Sequence, residues 1–275
     1  GENAILTRGN SDVNINSDGK HTTQLNGDIV FDYSDTTGVD SNVNVNLSGA
    51  DSSWTGNTKV TWESQSGRPD EEKLEVSGMK LNVANGAQWN PVSIQNSEEQ
   101  TKGTKEVALN QLHLDNGVVN LDSAKLDEES VVSVQNISGT GTINTNAFGN
   151  MMEVENKGKD TTLTVHGTGA MADEILADTT GEKAKMLAAT VSTPDDKYAS
   201  DKITTDAGVI SGAISADVDE NGNLSNYTRA VNPSNQAISN MATISLMTWR
   251  QENNDMNKRL GELRASQGSQ GVWAR

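Results

Sequence analysis

Cysteine is absent from the chain, which excludes a disulfide framework, a Cys-ligated zinc site and a thiol nucleophile. Aromatic residues are scarce at 4%, and the whole hydrophobic set reaches only 33%, below the usual apolar share. A compact globule of 275 residues would want more core-forming side chains. Such a composition leaves disorder, or a solenoid whose thin core is filled by small aliphatics. Positive charge is also short: 21 Lys and Arg against 38 Asp and Glu give a net charge of −17. A chain this acidic is expected to repel nucleic acid and anionic lipid, because binding to phosphates needs clustered Lys and Arg. No apolar run approaches the roughly 20 residues of a membrane-spanning helix. The opening GENAILTRGN has no basic stretch followed by an apolar one. No secretory signal is therefore read there, and the chain is expected to be an internal piece of a longer precursor.

What the chain does have is period-two alternation. In VNVNLSG, Val43, Val45 and Leu47 face one way and Asn42, Asn44 and Asn46 the other; Met79, Leu81 and Val83 repeat the pattern in MKLNVANG. Short alternating runs bounded by Gly, Asn, Asp and Ser are the β-strand signal, and they argue against disorder. Asn-Gly pairs begin at Asn26, Asn85 and Asn116 and mark tight turns where a positive φ is tolerated. Similar phrases return at intervals suited to a repeat architecture. The reading is all-β: a right-handed parallel β-helix (solenoid) with a C-terminal cap and a terminal α-helix. A sandwich or barrel is the competing arrangement. Low aromatic content suits a narrow aliphatic core, and abundant Asn, Ser and Thr suit stacked polar ladders at the corners. Aliphatic ladders are expected to include Val43, Val45, Leu47, Leu81, Val83, Leu112 and Leu114.

The phrases VNVNLSGADSSWTGNTKV, MKLNVANGAQWN and LNQLHLDNGVVNL resemble the passenger repeats of bacterial autotransporters, the type V secreted proteins. Each of the first two joins a strand to a Gly-bounded turn and a Trp, Trp54 or Trp89, expected at the surface. Residues 131–167, with ISGTGTI leading to a polar turn and an LTV strand, are similar to the family's C-terminal passenger segment. Residues 168–198 carry helix-tolerant Ala, Glu and Lys, and DAGVISGAISADVDENGNLSNYTRA reads as two strands joined at Asn221-Gly222. The resemblance implies that this region caps the β-helix and acts as an autochaperone whose folding templates the rest.

Near the end, Asn232-Pro233-Ser234-Asn235 is a helix start signal. From Gln236 to Arg264 the run has no Pro, and Gly261 is its only Gly. Its apolar stripe of Ile238, Met241, Ile244, Trp249, Met256, Leu260 and Leu263 is incomplete, more polar than a core helix would be. A helix is expected from about Ser234 to Arg264. ENNDMNKRLGELR followed by GVWAR is similar to the linker and first barrel strand of autotransporters. In the serine protease autotransporters of enteric bacteria the phrase runs E-x-N-N-x-N-K-R-x-G-D-L-R. Glu252, Asn254, Asn257, Lys258, Arg259, Gly261, Leu263 and Arg264 fall on it, with Glu262 in place of Asp. Gly271, Trp273, Ala274 and Arg275 match the barrel opening. The expected organisation is 1–130 passenger repeats, 131–231 cap, 232–270 linker helix and spacer, and 271–275 the start of a translocator barrel.

The resemblance places a candidate passenger cleavage site at Asn254 and Asp255, where relatives cut between two asparagines and the first attacks its own backbone. Asp255 departs from that pattern, and an uncleaved linker is the competing reading. DVDENGN (217–223) fits the first half of a calcium loop, but position twelve is Thr228 rather than Glu, so a β-turn is expected. His21, His113 and His166 lack ligand spacing. No nucleophile elbow, chymotrypsin-like nucleophile phrase, Walker A or dinucleotide fingerprint occurs. The acidic runs DEES (127–130) and RPDEEK (68–73) read as loops. No catalytic residue, cofactor or metal is expected. The leading expectation is a surface-displayed, adhesin-like stalk and export module, at the cell surface or outer membrane or released. Its partners would be its own C-terminal β-barrel, the outer-membrane assembly machinery and a host-surface or bacterial partner, and not nucleic acid. A stalk of a secreted protease whose catalytic domain lies upstream is the alternative. A β-helical carbohydrate lyase or hydrolase would need clustered carboxylates on one coil face.

Overall fold

The structure is a computed structural model that describes residues 3–34, 40–63, 68–99, 101–127, 130–195, 197–230, 232, 241 and 244–254. Two compact units divide the chain, Gly1–Ala230 and Val231–Arg275.

The first unit is mostly β, and its strands are short because Gly, Asn and Asp end each alternating run after a few residues. Strands β1 (Asn3–Arg8), β2 (Asp12–Ile15) and β3 (Gln24–Asn26) set a pattern repeated by β4 (Asp28–Asp32), β5 (Asn42–Ser48) and β6 (Ser53–Thr55). It returns in β7 (Thr58–Trp62), β8 (Met79–Ala84) and β9 (Gln88–Asn90), with a one-turn helix α1 (Glu71–Glu75) between β7 and β8. Each strand lies parallel to its counterpart in the next set: β1 on β4 on β7, β2 on β5 on β8, and β3 on β6 on β9. Side chains report the same repeat. Asn44 bonds Asn14 across 30 residues, and Asn82 bonds Asn46 across 36.

An antiparallel hairpin interrupts the parallel order, with β10 (Ser97–Glu98) pairing β11 (Gly103–Glu106), and β11 pairing β7. Beyond it the strands lengthen. β12 (Leu109–Leu121) lies parallel on β8 over 111–115 and on β9 over 118–119, so one strand continues two rows. β13 (Val132–Thr145) lies parallel along β12, and β14 (Met152–Lys157) and β15 (Thr162–Gly167) lie on β13. Then come helices α2 (Gly169–Ala177) and α3 (Glu182–Ala188), the two-residue β16 (Val191–Ser192), and β17 (Lys202–Thr205), parallel to β15. The antiparallel pair β18 (Ile214–Val218) and β19 (Leu224–Arg229) completes the sheet.

The core is a set of apolar rows running across strands. Val43 stands over Met79, Val45 over Leu81, and Leu47 over Val83; Leu81 and Val83 meet Leu112 and Leu114. These eight side chains are buried, as the alternation expects. A second row links Leu25, Trp54, Trp89, Val119, Ile143 and Val165. Here the sequence expectation fails: Trp54 and Trp89 are fully buried rather than on the surface. Each occupies the middle of a three-residue strand whose flanking polar residues point away, so the pleat turns the indole inward. The rings stack with centroids 5.6 Å apart and planes 9° apart. Their Nε1 atoms donate to the Gly27 and Gly56 carbonyls at 2.9 and 3.1 Å, so neither indole N–H is buried unpaired. Gly56 has a φ of 148°, and a Cβ there would collide with the Gly27 carbonyl, which is itself the acceptor of Trp54. Only glycine lets these rows approach.

Two further departures are local. RPDEEK is not wholly loop: residues from Glu71 form α1, and its single buried side chain, Leu74, anchors that turn to the core. Asn116-Gly117 is not a chain-reversing turn but a bend inside β12, where Asn116 has a φ of 55° and the register shifts between Asp115 and Gly117. Asn85-Gly86 behaves as expected, with both residues at positive φ between β8 and β9. The loop expectation for 127–130 touches residues outside those described.

In the second unit, 244–254 are helical. The remainder of the expected helix, apart from Met241, and all of 255–275 lie outside the described residues.

Candidate functional site

Alternation that buries Val43, Val45, Leu81 and Val83 necessarily points the intervening residues outward. Strand register then lines them up. One outward file runs Asn14, Asn44, Lys80, Gln111, Asn136 and Asn156; the file beside it runs Asn46, Asn82, His113 and Ser138. Between and beside these files lies a groove of about 480 Å³, bounded at its far side by Lys157 and Gly158. Its lining holds amides, Ser138, His113 and two lysines, and no carboxylate.

Part of this polar surface is tied up in its own ladders. Asn44 donates to Asn14 at 2.9 Å, His113 Nδ1 meets Ser138 Oγ at 2.9 Å, and Asn136 donates to the Asn110 carbonyl at 3.0 Å. Lys157 pairs with Asp201 at 2.6 Å. Lys80, Gln111 and Asn156 are exposed, and among the described residues their side chains have no hydrogen-bond or ion-pair partner. Groups without internal partners in the centre of a groove are available to a ligand.

A second cleft, of about 570 Å³, opens beside the β4–β7 rows, lined by Asp28, Lys59, Ile94 and neighbouring Gly and Ser residues. Asp28 and Lys59 form a largely buried ion pair at 2.7 Å. Behind them Glu106 accepts from the Asn57 side chain at 2.7 Å and from the Ile94 N–H at 3.1 Å. Burial pushes the Glu106 carboxyl up to about 7, and the Asp28 and Asp127 carboxylates reinforce that, against the two hydrogen bonds that favour its charge. Burial, and not these two bonds, is therefore what makes Glu106 a proton-holding corner.

In the C-terminal part, Asp173 of α2 accepts from three successive backbone N–H groups, Val209, Ile210 and Ser211, at 2.7, 2.9 and 2.7 Å. These bonds, that of Ser211 foremost, hold its carboxyl below the usual range. The DVDENGN phrase is the β18–β19 turn. Asp219 accepts from the Asn223 side chain and the Asn221 and Asn223 N–H groups, so its oxygens close the turn instead of facing an ion. Among the described residues no cluster of three or more His, Asp or Glu is placed to hold a metal. The three histidines stay apart: His21 lies near Asp18, His113 bonds Ser138, and His166 bonds Thr204 and faces Asp206 at 3.4 Å.

Asn254 ends the described helix and is exposed; Asp255 lies outside the described residues. The groove residues and Glu106 were not singled out from the sequence. The outward Asn and Lys positions are legible as alternation, but which of them share a file depends on register across 20 to 36 residues. Comparison with family models, with curated proteins and with solved structures gives no match.

Proposed function

We propose that the chain is the C-terminal part of an autotransporter passenger: a right-handed parallel β-helix, its folding cap and a linker helix, displayed at the cell surface as an adhesin-like stalk. The observation that carries this reading is the unbroken parallel stacking of strand on strand from β2 to β17, with one apolar row continuing through successive repeats. Such a body is quasi-one-dimensional, stabilised by nearest-neighbour contacts, and needs a closing end. Helices α2 and α3 and the antiparallel β17–β19 end supply that closure. The linker phrase around Asn254 and the GVWAR ending support attachment to a β-barrel translocator, with the outer-membrane assembly machinery as the partner that installs it. In this reading the fragment performs no catalysis and takes no cofactor or nucleic acid.

Exposure of Met241, Ile244, Leu246, Met247 and Trp249 in the second unit, each above 60%, supports a segment whose natural surroundings are another structure, here the barrel lumen. The test is display. Carried between a secretion signal and an outer-membrane barrel, the chain should become accessible to external protease on intact cells. Retention in the periplasm, with the barrel itself correctly inserted, would sink the proposal. Passenger released into the medium should end at Asn254 and be lost in Asn254→Ala; passenger that stays on cells makes the linker an anchor.

A further inference from the structure

We propose that the outward groove over β5, β8, β12, β13 and β14 binds an acidic glycan, a chain of sugars carrying carboxylate or sulfate groups. Three observations carry this. The groove is lined without a single carboxylate on a chain of net charge −17. Two lysines stand in it: Lys157 is paired with Asp201, whereas Lys80 is exposed with no ion-pair partner among the described residues. The rest of the lining is dominated by amides, which both donate and accept.

Each feature selects a part of the ligand. Amides alternating along files match vicinal hydroxyls, which also donate and accept; a purely cationic patch would serve a phosphate backbone better. Lys80 offers a charge-assisted hydrogen bond to an anionic substituent. The free amides of Gln111 and Asn156 lie one and three strands further along the same file. Strands about 4.8 Å apart give the five strands of the groove a length of roughly 19 Å, enough for several sugar rings. The distant acidic surface does not forbid an anion, since charges beyond about 8 Å are largely screened at physiological salt. What decides is the local sign: Asp201 offsets Lys157, so Lys80 gives the groove lining its net positive charge. An acidic peptide is less well matched, because its backbone donors and acceptors favour an open strand edge, whereas the groove presents side chains on the face of a sheet. With no carboxylate pair in the groove, the chemistry there is recognition and not two-carboxylate hydrolysis.

The experiment is calorimetric titration of the full chain with four probes: a galacturonate hexamer, a heparin-derived hexasaccharide, a neutral maltohexaose and poly-L-glutamate. One or both acidic sugars should bind, and which one distinguishes carboxylate from sulfate. Lys80→Glu should weaken that binding by roughly tenfold or more, the scale of a lost charge-assisted bond. Lys20→Glu, an exposed lysine outside the groove lining, makes the same charge change and should leave binding nearly unaltered. Gln111→Ala should weaken it less than Lys80→Glu. Both groove positions are exposed, so thermal melting should match the wild type. The proposal is overturned by absence of binding at millimolar sugar, by equal losses in Lys80→Glu and Lys20→Glu, or by maltohexaose or poly-L-glutamate binding as tightly as the acidic sugars.

Discussion

At Glu106 a single proton links the core to solution pH. The folded chain holds that proton up to about 7, while a Glu in the unfolded chain releases it near 4.5. Between those values the native state binds more protons than the unfolded state, so stability falls as pH rises. Melting curves at pH 5 and pH 8 should therefore place wild type and Glu106→Gln close together at pH 5, with the variant the more stable at pH 8. Parallel curves would mean the carboxyl is ionised throughout. Trp89 makes a different kind of contribution. Its indole is fully buried, stacks on Trp54 and satisfies the Gly56 carbonyl. Trp89→Ala would leave a cavity and should cost about 3–5 kcal/mol, measurable by urea denaturation; a loss below about 1 kcal/mol would show that the rows close over the gap.

Strands and helices were unequally legible. Val43, Val45 and Leu47 announce a strand because alternation is a property of adjacent residues. The bends of β12 are not local in that sense. Its buried positions step by three from Leu109 to Leu112 and again from Leu114 to Gly117, before alternation resumes at Val119 and Leu121, so the phase slips where the strand bends. A period-two reading treats those slips as breaks, and only the pairing of one strand with both β8 and β9 shows continuity. The tryptophans misled for a related reason: polar neighbours describe the outside of a three-residue strand, not the direction of its middle side chain. Helices α2 and α3 were foreseen only as a helix-tolerant stretch, since tertiary burial of Ile175 and Leu187 stabilises helices this short. The groove escaped notice because its residues are collected from five strands. At this scale the row gives a direct prediction. Leu163, fully buried in β15, pairs in register with Gly141 of β13. Leu163→Asp would place an unpaired carboxylate in the core, costing several kcal/mol. On the proposed reading of this end as the cap of a β-helix, the loss should extend beyond β15–β17. Hydrogen exchange should accelerate at β8 and β12 as well as at β15, and acceleration confined to β15–β17 would separate the cap from the body it closes.

The whole molecule carries a repulsive charge that its thin core must overcome. At neutral pH the net charge of −17 opposes compaction, since self-repulsion falls when the chain expands. Acidification removes that repulsion as carboxylates neutralise, and it also lets Glu106 hold its proton in the folded state. A counter-effect begins at lower pH. Asp178, held down to about 2 by the Lys183 N–H and by Thr180, and the similarly bonded Asp173 and Asp219 have folded pKa values below the unfolded 3.8. Their stabilisation is present above that value and is lost as pH falls through the folded values. Between the two effects, stability should peak near pH 4.5 and decline on either side. Salt separates repulsion from specific bonds. Raising sodium chloride from about 0.05 to about 0.5 M shortens the screening length severalfold. The melting temperature should rise clearly at pH 7.5, where repulsion is largest, and change little at pH 4.5. An equal rise at both values would indicate general salt stabilisation of buried apolar surface, and a fall at pH 7.5 would make the exposed ion pairs, and not the net charge, the dominant electrostatic term in this fold.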